Sequence, residues 1–207
     1  GNHFSSALNK KDKWEFLNAP MSKDFYNEIQ KIGFKKMFVI ISDALRYEIG
    51  VELLNEIKTD PVLGGTATIK PMISALPSET RFGMASLLPN KKIEYNEGTL
   101  FVDNLPTTGT KNRDKILKSK NESFAAITYE EITDFRRDEL RKYMSDKSLV
   151  YIYHNVIDRM GENNESKVFD AASEAIDEIM KLVKKLYNGI QTSNFIITAD
   201  HGFIYKR

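Results

Sequence analysis

An α/β fold, with a mostly parallel sheet flanked by helices, is what the 207-residue sequence predicts. Three observations carry the prediction. Met37–Ile41, Leu149–Tyr153 and Phe195–Ile197 are short apolar runs of the kind that form strands buried on both faces. Longer stretches with apolar residues at helical spacing lie between them. The two patterns alternate along the chain, which calls for crossover connections between parallel strands.

The elements follow in order. Residues 1–20 carry few apolar anchors beyond Trp14, Phe16 and Leu17, and read as an N-terminal extension to a domain spanning 21–207. Ser22 has the character of an N-cap, and Phe25, Ile29 and Ile32 recur at helical spacing, so a helix is expected near 23–33, ended by Gly33. The first strand, 37–41, is followed by a helix with Leu45, Ile49, Leu53, Leu54 and Ile57 on one stripe. Thr66–Ile69 is a shorter strand candidate, and Ser78–Leu88 a helix stopped by Pro89. Residues 90–110, rich in Gly, Asn, Pro and Thr, read as loops with one or two short strands. Helix 113–118, strand 124–127, a charged helix over 129–144 and strand 149–153 come next. Ser166–Leu186 forms the clearest amphipathic helix, with Gly189 as its stop.

Composition narrows the function. Thirty basic and 29 acidic residues leave a net charge of +1, so no global field draws the chain to nucleic acid or acidic membranes. The absence of cysteine excludes disulfides, thiolate metal sites and cysteine nucleophiles. No apolar stretch reaches the length of a membrane span, and the N-terminus lacks a signal-peptide core, so the expected location is cytoplasmic and no membrane partner is expected.

Chemistry gathers where the apolar strands end. Ser42 and Asp43 follow the first, His154 and Asp158 follow the run at 149–153, and Asp200 and His201 follow the last. In a parallel sheet these termini share one edge, the edge at which α/β folds bind ligands. Asp43 alone would suit an N-cap of the next helix. Converging carboxylates and imidazoles suit a divalent cation, which offsets the repulsion between the acids. A hydroxyl nucleophile is sought in Pro77-Ser78-Glu79-Thr80-Arg81. There Ser78 reads as the cap of the helix and Thr80, inside its first turn, is less easily explained by capping.

These same stretches carry a resemblance. SDALRYE, LPSETRFGMASLLP, GTKNRDKIL, YIYHNVIDRMGE and ITADHGF, in that order, are similar to the PglZ family, especially its form in BREX phage-defence operons. The resemblance covers residues 14–207 and implies an alkaline-phosphatase-like fold with two divalent metals, commonly zinc. It implies a metal-dependent phosphoric ester hydrolase, a phosphodiesterase or nuclease acting on a phosphate ester or nucleic acid. Other defence-system proteins are the implied partners, and a weakly catalytic scaffold that binds them is the alternative. By resemblance Thr80 is the nucleophile, Asp43, Asp200 and His201 hold its metal, and Asp158 belongs to a second. The family's usual His four residues after Asp158 is Glu162 here, which opens that site to manganese or magnesium. His154 is then a compensating ligand or a residue supporting one. A last histidine ligand is expected beyond Arg207, so residues 21–207 are expected to lack the end of the domain.

Overall fold

The computed structural model describes residues 19–64, 66–156, 168–191 and 194–201. Its centre is a four-stranded sheet, all parallel, in the order β5-β6-β1-β7. These strands are β1 (Met37–Ser42), β5 (Phe124–Thr128), β6 (Leu149–His154) and β7 (Phe195–Thr198). A smaller antiparallel sheet, β2 (Ile93–Asn96), β3 (Thr99–Val102) and β4 (Leu105–Pro106), occupies the stretch expected to be loops with one or two strands.

Both faces of the main sheet are covered, as the apolar runs require. Side chains alternate along a strand, so Phe38 and Ile40 of β1, with Val150 and Ile152 of β6, enter one core. That core is completed by α2 (Tyr47–Thr59), α5 (Tyr129–Asp134), α6 (Arg137–Met144) and α7 (Val168–Ile190). Met37, Val39 and Ile41, with Leu149 and Tyr151, enter the other core against α1 (Phe25–Ile32), α3 (Thr80–Ser86), α4 (Thr110–Lys120) and β3. Every residue of β1 and β6 is buried. Each large apolar side chain among them contributes roughly 1.5–3 kcal/mol by leaving water. The tight pairing of β1 with β6 and β7 follows from that.

Several expectations are corrected. Thr66–Ile69 is not a strand. The pairing falls later, as a parallel bridge between Met21 and Ile73, with the Ser22 N–H donating to the Ile73 carbonyl at 2.8 Å. Ser22 is not a helix cap. It opens a 3₁₀ turn, Ser22–Asp24, and its buried hydroxyl accepts from Ser86 Oγ at 2.8 Å. The helix expected over 129–144 is two helices. Thr128 and Glu131 cap the first reciprocally, and Phe135 is extended between them. Across the break, Ile132, Leu140 and Met144 all enter one core. Gly189 does not end α7, which runs to Ile190. A Cβ at Gly189 would stand 3.0 Å from Leu140 Cδ2, so that glycine serves the close packing of α7 on α6.

Candidate metal and nucleophile site

The carboxyl ends of β1, β6 and β7 are level. Ser42 is the register partner of His154, and Ile41 of Thr198. The residues just past β1 and β7 therefore meet. Asp43 is not a cap for α2, because that helix starts at Tyr47 with Arg46 in the cap position. Its N–H instead donates to the His154 carbonyl at 2.8 Å. The chain then turns through Ala44 at φ 58°, a left-handed conformation that costs a non-glycine residue roughly 1–2 kcal/mol. The Ala44 N–H donates to Asp200 Oδ1 at 3.3 Å, which ties the turn after β1 to the turn after β7.

Asp43, Asp200 and His201 form the one cluster among the described residues able to hold a metal, with a ligand atom from each lying within 4.8 Å of the others. His201 Nε2 stands 3.3 Å from Asp43 Oδ1 and 3.4 Å from Asp200 Oδ2. Ligand atoms around a tetrahedral zinc with bonds of about 2.1 Å are roughly 3.4 Å apart. These separations therefore suit one ion with little movement. Asp43 and Asp200 are buried, and Asp200 Oδ2 has no hydrogen-bond partner among the described residues. Burial, and then the neighbouring Asp43 carboxylate, push the Asp200 carboxyl up to about 7. A divalent cation answers both features: it gives Oδ2 a partner and offsets the repulsion between the two acids. Carboxylate oxygen and imidazole nitrogen are a donor set that zinc accepts.

The third segment to arrive is α3. Thr80 is its first residue, and Glu79, not Ser78, occupies the cap position, without a side-chain capping bond. Thr80 Oγ1 lies 2.9 Å from His201 Nε2 and donates to Asp43 Oδ1 at 3.4 Å. The hydroxyl thus stands beside two of the three candidate ligands. Gly83, one turn on, is what permits this approach. A Cβ there would stand 2.4 Å from the Asp200 carbonyl oxygen. Arg81 points to other partners: it pairs with Glu79 at 2.8 Å and lies over the Tyr95 ring at 5.5 Å, fastening α3 to β2.

Four of the sequence candidates, Asp43, Thr80, Asp200 and His201, are thereby brought together. His154 stands outside the cluster. Both its ring nitrogens are engaged, Nδ1 with Ser42 Oγ and Nε2 with Glu178 Oε2, each at 2.9 Å. Asp158 and Glu162 lie outside the described residues. Sequence reasoning missed Gly83 and Glu178. A glycine inside a short helix costs about 1 kcal/mol against alanine, which is itself a sign of close approach. Glu178, three residues after Ala175 and four before Leu182, interrupts an otherwise apolar stripe.

Comparison with known proteins identifies the family. The sequence profile of the BREX system PglZ alkaline phosphatase-like domain matches residues 23–207. An alkaline phosphatase-like protein, BrxZ, of Escherichia coli is 38% identical over 216 residues, covering 100% of this chain and 24% of its own length. An alkaline phosphatase-like protein, PglZ, of Bacillus cereus is 42% identical over 212 residues, covering 99% of this chain and 25% of its own. The chain therefore spans about a quarter of the length of these relatives. No solved structure gives a significant match. No described helix is long and apolar enough to cross a membrane. With a parallel sheet that delivers an Asp-Asp-His cluster to its carboxyl edge, and with the family profile matched across nearly all of its length, the chain belongs to the PglZ family of BREX-system alkaline phosphatase-like domains.

Proposed function

We propose that this chain carries the nucleophile and first metal site of a metal-dependent phosphoric ester hydrolase in a bacterial defence system. The observation that carries the reading is the position of Thr80 Oγ1, 2.9 Å from His201 Nε2 and 3.4 Å from Asp43 Oδ1. A hydroxyl is brought by a separate helix to the edge of a candidate cation site.

Asp43, Asp200 and His201 hold the nucleophile-side cation, and Asp158 with Glu162 supplies a second, zinc being the first candidate for both and manganese or magnesium the alternatives. Bound cations would lower the pKa of the Thr80 hydroxyl and draw charge from the phosphoryl oxygens. Thr80 Oγ1 attacks phosphorus in line, the bond from phosphorus to the leaving oxygen breaks, and the hydroxyl proton passes to solvent. Water then opens the phosphothreonine, returning Thr80 and releasing the phosphoryl product. The nearly fully buried Asp200 carboxylate keeps its orientation through the Ala44 N–H, and Gly83 keeps α3 close enough for attack. The substrate class is a phosphodiester, a nucleotide or nucleic acid, and the protein works in the cytoplasm with other defence-system proteins.

The test is Thr80→Ala in the full-length protein, with bis-p-nitrophenyl phosphate as substrate and zinc, manganese or magnesium supplied in turn. The variant should lose turnover by at least about 10³-fold, while Thr80→Ser retains a measurable fraction. Metal-dependent turnover unchanged in Thr80→Ala removes Thr80 from the chemistry.

A further inference from the structure

Ser42, His154 and Glu178 form a continuous hydrogen-bonded chain that ends one residue short of Asp43. Ser42 Oγ meets His154 Nδ1, and His154 Nε2 meets Glu178 Oε2, both at 2.9 Å. A carboxylate only accepts, so Nε2 donates to Glu178, and Nδ1 is left to pair with the Ser42 hydroxyl. The order of groups is that of a serine-hydrolase relay. Burial excludes that use: Ser42 and the His154 side chain are both 0% exposed, so no substrate reaches the hydroxyl.

The placement suggests a different task. Ser42 and His154 are register partners at the last position of two strands that are otherwise apolar except for the tyrosines of β6. Nothing in the packing of the core asks for a polar pair there. The same His154 accepts the Asp43 N–H at its carbonyl, and the Tyr129 ring meets its imidazole edge-on at 4.9 Å. Glu178 reaches in from the middle of α7 and joins that helix to the strand ends.

We propose that Ser42, His154 and Glu178 are a positioning array that locks the ends of β1 and β6 to α7 and so fixes where Asp43 presents its carboxylate. The array itself is independent of any metal. Only its consequence for cation affinity rests on the function proposed above.

The test has two arms in the full-length protein, with Ser42→Ala, Glu178→Leu and the conservative Glu178→Gln. Ser42→Ala removes a single oxygen and keeps the test available if Glu178→Leu does not fold. In metal-free protein, amide hydrogen exchange at Asp43 and Ala44 should quicken at least about 10-fold in Ser42→Ala and Glu178→Leu, while Val39 and Ile40 in mid-strand are unchanged. Glu178→Gln, which still accepts from Nε2, should stay close to wild type. Unchanged exchange, or equal acceleration along the whole of β1, overturns the proposal. In the second arm, zinc titrated against a chelating indicator should bind about 10–100-fold more weakly to the two disruptive variants. Wild-type zinc affinity in those variants overturns the proposal. A wild-type protein that takes up no zinc, with exchange still responding, refutes the metal reading of the cluster and leaves the array standing.

Discussion

Gly83→Ala tests the way the site is assembled. The added Cβ would stand 2.4 Å from the Asp200 carbonyl oxygen, 2.7 Å from its carbonyl carbon and 2.9 Å from its Cβ. Two of these three are backbone atoms, so no rotamer change relieves the clash. Reaching the 3.4 Å at which ordinary contact begins takes a separation of about 1 Å between α3 and the turn after β7. α3 cannot yield by itself, because Met84, Ala85, Leu87 and Leu88 anchor its end in the core. Thr80 is on the same rigid helix, so the hydroxyl and the Asp200-His201 pair must part. Overpacking costs about 1–3 kcal/mol, and alanine's better helix propensity returns roughly 1 kcal/mol of it. The stability loss is therefore small, about 0–2 kcal/mol, and Tm should fall by no more than about 8 °C. The functional loss should be larger, since a 1 Å misplacement can cost about 10²-fold. The measurements are turnover of bis-p-nitrophenyl phosphate, zinc affinity and a thermal melt on the same preparations. Turnover and zinc affinity both within about twofold of wild type would refute the claim that this glycine sets the distance between Thr80 and the Asp200-His201 pair.

Further outcomes are expected from the same geometry. Gly189→Ala makes a useful contrast. Its Cβ would meet the flexible tip of Leu140 at 3.0 Å rather than backbone, so Tm should hold or rise slightly as the helix gains about 1 kcal/mol of propensity. Asp200→Asn removes one of two facing carboxylates and lets an amide N–H donate toward Asp43. The metal-free variant should melt higher than wild type, by about 1–2 kcal/mol, and lose zinc binding, which melts with and without chelator will show. Zinc at about 100 times its dissociation constant should stabilise the wild-type protein by about 2.7 kcal/mol, or roughly 5–11 °C in Tm. Asp43→Asn should abolish that rise.

The parallel sheet was legible in the sequence because its two central strands are buried on both faces, which leaves an unbroken apolar signature at Met37–Ile41 and Leu149–Tyr153. The meeting of Asp43 with Asp200 and His201 was legible for a related reason: parallel strands put equivalent ends on one edge. What the residues alone could not give was anything set by approach between remote segments. Thr80 and Ser78 were both plausible hydroxyls, and only the fold shows Thr80 reaching His201, with Ser78 left outside the helix. His154 read as a ligand because it ends a strand beside an acid. The fold turns its ring toward Ser42 and Glu178, a partner on a helix distant in sequence that no spacing rule could supply. The antiparallel β2–β3–β4 unit was read mainly as loop because its short strands are only partly buried, leaving little apolar pattern to follow.

Three departures from ordinary construction fall at the same place. Ala44 holds a left-handed conformation, Gly83 weakens a seven-residue helix, and two buried carboxylates stand together with one oxygen lacking a hydrogen bond among the described residues. A site built for stability alone would avoid each of them. Isolated turn acids find caps, helix interiors take alanine, and buried acids take arginine or lysine partners. Here each departure serves the same contact. Ala44 turns its N–H to Asp200 Oδ1, Gly83 admits the Asp200 backbone, and Asp200 Oδ2 stands 3.4 Å from His201 Nε2. Local rules broken together at one contact are where function is to be sought in a fold. Asp200 is where the three meet, so removing its charge should stabilise the metal-free chain and at the same time abolish its zinc binding.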